Sequence, residues 1–293
     1  MTHSDTLPAA NRLAMIGPVL LGATSFACAD VLSRFVLESG ADALTMSAAR
    51  GVIGVVSMLA WLGVVRKPKP LTPRERWLSL GLGVVFGANV FLVFKAVESI
   101  EVPAAILTYF VYPLLTGLAA AATGIEKLTW RGAIAAVVAF LGLALMIGAH
   151  PQGLAVAGIL AALAAACCRV VLLLTTRALL QNADARMITW YSMVSSTALF
   201  AVIALAARNW QPPATVAGWI AMVALGIAVT GGILGVFAST ARIGPFRTAL
   251  FMNLEPLLAT IGSALFLHEV ITLLQALGGA AMIAALVAFQ LRR

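Results

Sequence analysis

Ten long apolar runs dominate this chain, and each is close to the length that crosses a lipid bilayer. They fall at 15–36, 43–65, 76–97, 103–123, 130–149, 153–180, 186–207, 215–240, 246–267 and 271–290. A helix needs roughly 20 apolar residues to span hydrocarbon. Only helices and closed barrels satisfy the backbone there. The runs do not alternate apolar with polar residues, so they are not barrel strands. The expected fold is therefore an all-α integral membrane protein with ten transmembrane helices. Composition agrees: 62% of the 293 residues are hydrophobic and 10% are charged, against about 25% charged in a soluble domain. The first run follows a polar segment and no cleavage site comes after it, so it reads as a retained helix rather than a signal peptide.

The net charge is +8, but the cations sit in short loops between runs and form no patch for a nucleic acid. They report topology instead. Arg12, Arg66, Lys67, Lys69, Arg74, Arg76, Lys127, Arg131, Arg177, Arg186, Arg242, Arg247, Arg292 and Arg293 all fall on one side. Arg34, Arg50, Lys95 and Arg208 lie on or near the other side, and Arg169 lies inside a run. The positive-inside rule makes the majority side the cytoplasm, with both termini in it.

The chain also repeats itself. Tyr112-Pro113-Leu114-Leu115 matches Glu255-Pro256-Leu257-Leu258 at an offset of 143 residues. The same offset carries Ile100 to Ile243, Glu126 to Glu269, Thr129 to Thr272 and Arg34 to Arg177. It divides the chain at 1–149 and 150–293, with five runs in each half. Five is odd, so the second half must insert upside down. Inverted repeats are typical of transporters, whose substrate site lies near the midplane between the halves.

Polar residues inside the runs are the candidates for that site, because lipid would reject them. Arg169 lies near mid-run, where a charge costs at least about 2.5–3.5 kcal/mol. It pairs internally with Asp30 or Glu255, or offers its fork to a substrate carboxylate. Asp30 and Glu255 could hold a substrate ammonium or a proton, or pair with Arg169, Arg34 or Arg50. Pro113 and Pro256 kink their helices and turn Tyr109, Tyr112, Asn253 and Glu255 inward. Asn89 is at mid-depth on the third run. Lys95 is one turn from its end, where snorkelling also explains it. Phe26, with the tyrosines, could supply an apolar wall. Glu126 and Glu269 precede helices and read as caps. Gly231, Gly232 and Gly235 read as close helix packing. Trp61, Trp77, Trp130 and Trp219 sit at run ends, as an interfacial belt does.

The layout resembles the EamA-type branch of the drug/metabolite transporter superfamily, over nearly the whole chain. The local likeness is Pro-Leu-Leu, then Glu-x-Leu/Ile-Thr and a Gly-rich helix, from Pro113 to Gly142 and from Pro256 to Gly279. Arg50, in Ala-Ala-Arg-Gly, resembles the arginine of the family's second span. The family's frequent Trp-Gly of the first span is Phe26-Ala27 here. The resemblance implies a bacterial inner-membrane exporter of small metabolites, amino acids foremost and aromatic ones among them. Efflux of cationic drugs, with Asp30 and Glu255 as counter-charges, is the rival. A membrane enzyme or scaffold is a more distant one.

No catalytic triad, P-loop or metal signature is present. The three cysteines lie in apolar runs and the three histidines show no ligand spacing. The expectation is no cofactor, no metal and no enzymatic activity. The expected partners are a small-molecule substrate and the bilayer. Nothing in the sequence calls for a second copy, so a monomer is compatible with it.

Overall fold

The computed structural model describes residues 9–65, 67–148, 155–208, 210–267 and 270–291, with side chains from Met15 to Gln290. Arg66, Arg292, Arg293, the three histidines and Glu269 therefore lie outside what it describes, as does the side chain of Arg12. Ten stretches are long and apolar enough to cross a membrane. They form twelve helices: α1 (Ala9–Glu38), α2 (Ala43–Val64), α3 (Pro73–Ser99), α4 (Val102–Tyr109), α5 (Tyr112–Ala122) and α6 (Trp130–Ile147) in the first half. The second half holds α7 (Val156–Leu179), α8 (Ala185–Ala207), α9 (Val216–Ile243), α10 (Pro245–Phe251), α11 (Leu254–Phe266) and α12 (Leu273–Leu291).

The difference between ten and twelve is local. Spans four and nine each break in the middle, between α4 and α5 and between α10 and α11. Pro113 sits at the start of α5 and has no N–H to give the Tyr109 carbonyl. Pro256 likewise follows the second break, where the Glu255 N–H turns to the Met252 carbonyl at 3.0 Å. The prolines thus interrupt their spans rather than merely bending them.

The packing is paired across the halves. α1 lies on α9, and the counterpart contact α3 on α7 is also made. α3 on α8 is matched by α2 on α9, and α1 on α11 by α7 on α4 and α5. α2 meets α8 and α6 meets α12, each helix with its own repeat partner. A 143-residue shift exchanges these contacts, as two inverted five-helix repeats require.

Two glycines show why the register is fixed. A Cβ on Gly83 would lie 2.0 Å from the Ser192 carbonyl oxygen, and one on Gly226 would lie 2.9 Å from the Arg50 carbonyl oxygen. Gly83 and Gly226 are themselves 143 residues apart, and each lets a helix of the opposite half approach. Small residues at such seams are the usual means of close packing in lipid. Of the expected packing glycines, Gly235 meets Gly22 backbone to backbone, and Gly232 admits the ring of Phe26. Trp61, Trp77, Trp130 and Trp219 are all exposed at span ends.

Two aspartates tie the loops of one half to the other. Asp42 caps α2, accepting the Leu44 and Thr45 N–H groups and the Thr45 hydroxyl, and it also accepts the Gln211 N–H at 3.1 Å. Asp184 caps α8 and accepts the Lys69 N–H at 3.1 Å, with Arg186 bound to both its oxygens. They sit at opposite ends of the bundle.

Candidate functional site

A cavity of about 540 Å³ opens between the halves, within the range of small-molecule sites. Its walls follow from helix periodicity. Phe26, Asp30, Ser33, Arg34 and Leu37 form one stripe on α1, because residues three and four apart share a face. Phe86, Asn89, Val90 and Val93 do the same on α3, and Glu255, Ala259 and Ser263 on α11. Tyr109 closes α4 against it, Arg50 enters from α2 and Arg169 from α7.

Arg169 lies at the floor, 4% exposed. Its guanidinium carbon is 5.5 Å from the Phe26 ring centroid and 5.7 Å from that of Tyr112, within the reach of cation–π attraction. Among the described residues no ion pair joins it to Asp30 or Glu255. Its Nε has no hydrogen-bond partner there, and a buried charged donor left unpaired is costly. The internal-pair reading of Arg169 is therefore not what the geometry presents. Its charge and that of Glu255 still act on one another at longer range, as do those of Asp30, Arg50 and Arg34. The lining carries three guanidinium groups and two carboxylates, a formal excess of one positive charge.

Asn89 is buried and its amide donates to the Ala165 carbonyl at 2.7 Å. That bond ties α3 to α7 one turn before Arg169. Tyr109, Phe110 and Tyr112 cluster at the break of span four, with ring centroids 5.3–5.6 Å apart.

Six of the nine residues singled out in the sequence line this cavity: Phe26, Asp30, Asn89, Tyr109, Arg169 and Glu255. Three do not. Tyr112 is 1% exposed and packs behind Arg169 as its aromatic support. Asn253 is buried at the break of span nine, where its amide donates to the Leu250 carbonyl at 2.9 Å. Lys95 is exposed, paired with Glu98 at 2.7 Å, and lies over the Phe91 ring. Gln275 lines the cavity without having been singled out, and so do Arg34 and Arg50, which the sequence offered only as pairing partners of the acids and, for Arg50, as a family likeness. The signal for Arg34 was available: it lies one turn beyond Asp30 on the stripe begun by Phe26. No set of three metal-ligating side chains occurs among the described residues.

The cavity is lined by residues from one end of the bundle, including Leu37, Val102, Ile147 and Gln275. The central cavity does not reach the other end, where α1 begins and α12 finishes. There the Phe246 ring fills the space that Gly117 and Gly132 leave open, with Phe289 edge-on at 6.0 Å. Glu126, from the loop before α6, accepts the Phe246 N–H at 3.0 Å. Gly244 precedes it at φ +92°, and a Cβ there would strike the Glu126 carboxylate at 2.6 Å. Glu126 thus caps a helix of the opposite half rather than the helix it precedes, α6, which is capped by the Thr129 hydroxyl accepting the Gly132 N–H at 3.1 Å.

The comparisons with known proteins agree with this architecture. A solved crystal structure superposes with a TM-score of 0.75 at 22% identity, covering 94% of this chain and 99% of that one. At that identity the likeness concerns the fold alone. No curated protein matches the chain significantly. The sequence model of the EamA-like transporter family matches twice, at residues 14–148 and 156–289. Those two matches cover both halves, and the chain belongs to the EamA-like transporter family of the drug/metabolite transporter superfamily.

Proposed function

We propose that this chain is a secondary transporter that exports small carboxylate-bearing metabolites, amino acids foremost, with aromatic or other hydrophobic side chains favoured. Arg169 carries the reading. It is a buried guanidinium at the floor of a cavity, without an ion pair and with an unsatisfied Nε. A carboxylate is the ligand that matches its fork and its charge. Glu255 and Asp30 would receive the ammonium of a zwitterion. Phe26, Phe86, Tyr109 and Phe110 supply the apolar wall. Transport would proceed by alternating access of the two halves around this cavity. The loop cations support a reading with both termini in the cytoplasm of a bacterial inner membrane, in which the cavity would open outward.

Cationic drug efflux fits less well, because three guanidinium groups against two carboxylates repel a cation. The test is flux of labelled amino acids in proteoliposomes, beside flux of a cationic dye. Amino-acid flux lost in Arg169→Ala supports the reading. Dye flux without any amino-acid flux overturns it. Amino-acid flux unchanged in Arg169→Ala removes the carboxylate assignment and leaves the transporter.

A further inference from the structure

A second cavity lies outside the central one, on the lipid-facing side of the seam between α3 and α7. It is a groove of about 530 Å³ lined by Arg74, Trp77, Leu78, Gly81, Leu82, Val85, Val171 and Thr175. We propose that it holds one anionic phospholipid, with the phosphate on Arg74 and an acyl chain along the groove.

Three observations converge on that occupant. The first is length. From Arg74 to Val85 is eleven residues of helix, about 16 Å at 1.5 Å per residue. Half of a hydrocarbon core is about 15 Å. The groove therefore runs from the interface to the midplane, as one acyl chain does.

The second is shape. Gly81 lies at the groove, and a Cβ there would meet nothing within 4 Å. The protein's own packing does not require a glycine at this point, unlike Gly83 two residues on. What the missing side chain does is deepen a channel whose walls are Leu78, Val85 and Val171.

The third is charge. Arg74 is exposed at the interfacial end and makes no hydrogen bond or ion pair among the described residues. Trp77 stands beside it, 75% exposed, where headgroups meet hydrocarbon. Lys67 and Lys69 precede it in the same loop. Such a basic cluster attracts anionic headgroups, and an exposed arginine at a groove mouth selects phosphate. Beyond the groove the same α3–α7 seam continues to the Asn89–Ala165 bond, so an occupied groove would brace the wall that carries Arg169. The proposal is independent of the substrate assigned to the central cavity.

The test uses the full chain purified in detergent. Phosphatidylglycerol is added, with phosphatidylcholine of the same acyl chains and inorganic phosphate as separate arms. Melting temperature and the mass of the intact complex are the readouts. One phosphatidylglycerol per chain should be retained, with a melting shift that phosphatidylcholine and phosphate do not give. Arg74→Gln should weaken retention about tenfold, the loss of one charge-assisted hydrogen bond. Gly81→Leu, a helix-favouring change at an exposed site, should abolish retention while the protein remains folded. Equal stabilisation by phosphatidylcholine or by phosphate would overturn the proposal. So would wild-type retention in both Arg74→Gln and Gly81→Leu, or a lipid-free dimer, which would assign the groove to a second copy.

Discussion

Removing the charge of Glu126 should loosen the end of the bundle that the central cavity does not reach. Its carboxylate accepts the Phe246 N–H at 3.0 Å, at the start of α10 and across the interface between halves. A hydrogen bond to a charged group contributes about 1.5–3 kcal/mol, and a neutral one about 0.5–1.5. Glu126→Gln keeps an acceptor and loses the charge, a difference of about 1 kcal/mol. The charge also favours the positive end of α10, by about 0.3–1 kcal/mol. Together these give about 1.5–2 kcal/mol, which shifts an open–closed equilibrium about 10- to 30-fold. Glu126→Ala should shift it further, because the N–H is then left without this acceptor. The assay is the rate of maleimide labelling at Thr248→Cys, a buried site one turn into α10, with Cys28, Cys167 and Cys168 replaced. Labelling should rise in the order wild type, Glu126→Gln, Glu126→Ala. Unchanged labelling in both variants, with the melting temperature preserved, would refute the idea that this contact holds the end shut.

Three further outcomes follow from the same geometry. Gly226→Ala should destabilise the protein by about 1–3 kcal/mol, as overpacking does, because its Cβ would lie 2.7 Å from Ile53 and 2.9 Å from the Arg50 carbonyl oxygen; thermal melting in detergent measures it. Asp42 and Asp184 should lend acid sensitivity. Burial pushes the Asp42 carboxyl up, but hydrogen bonds from Thr45, Gln211 and Leu44 outweigh it and hold it below the usual range. The Arg186 side chain, above all, holds Asp184 below it. Folded values depressed in this way give stability that is present above the ordinary pKa of about 3.9 and lost as pH falls through the folded value. Replacing both with asparagine, itself a good cap, should flatten the melting temperature between about pH 4 and 2. Finally, Lys95→Ala should leave flux within about twofold of wild type, since its exposed pair with Glu98 contributes only about 0–1 kcal/mol; a loss of flux would return Lys95 to the site.

The spans were legible because hydrocarbon imposes one rule on every residue of a run, and length alone measures it. Their internal breaks were less so. Pro113 and Pro256 announced a disturbance, but whether a span bends or splits depends on where the freed groups find partners. At span nine the Glu255 N–H reaches back three residues, to Met252, and the helix restarts. Polarity inside the runs singled out Arg169, Asn89, Glu255 and Asp30, since lipid excludes them, and the fold brings all four to the cavity wall. Polarity alone could not say which interior they face. Asn253 is as unwelcome in lipid as Asn89, yet it satisfies a carbonyl beside its own helix break, while Asn89 reaches α7. Tyr112 is interior too, but supports the arginine instead of meeting the cavity. Direction around a helix decides these cases, and a broken helix resets its own phase. The cross-half role of Glu126 was hidden for another reason. Its partner is a backbone N–H 120 residues away, and backbone groups leave no trace in side-chain patterns.

That same contact exposes an asymmetry between repeats that are otherwise matched. The residue 143 positions before Phe246 is Pro103, which has no N–H to donate. The residue before Gly244 by the same offset is Glu101, where an unstrained backbone replaces the positive φ. The proposed alternating access would close the two ends in turn, with equivalent elements if the repeats were exact. Here the elements are not equivalent: one end closes with a charge-assisted hydrogen bond that position 103 does not provide at the other. The end packed by Phe246 is the end the central cavity does not reach, and the cavity opens beside Val102, at the start of the span that carries Pro103. The two sequence halves thus encode a shared architecture and an unequal balance between its ends. The inequality resides in the few positions where the repeat fails to repeat.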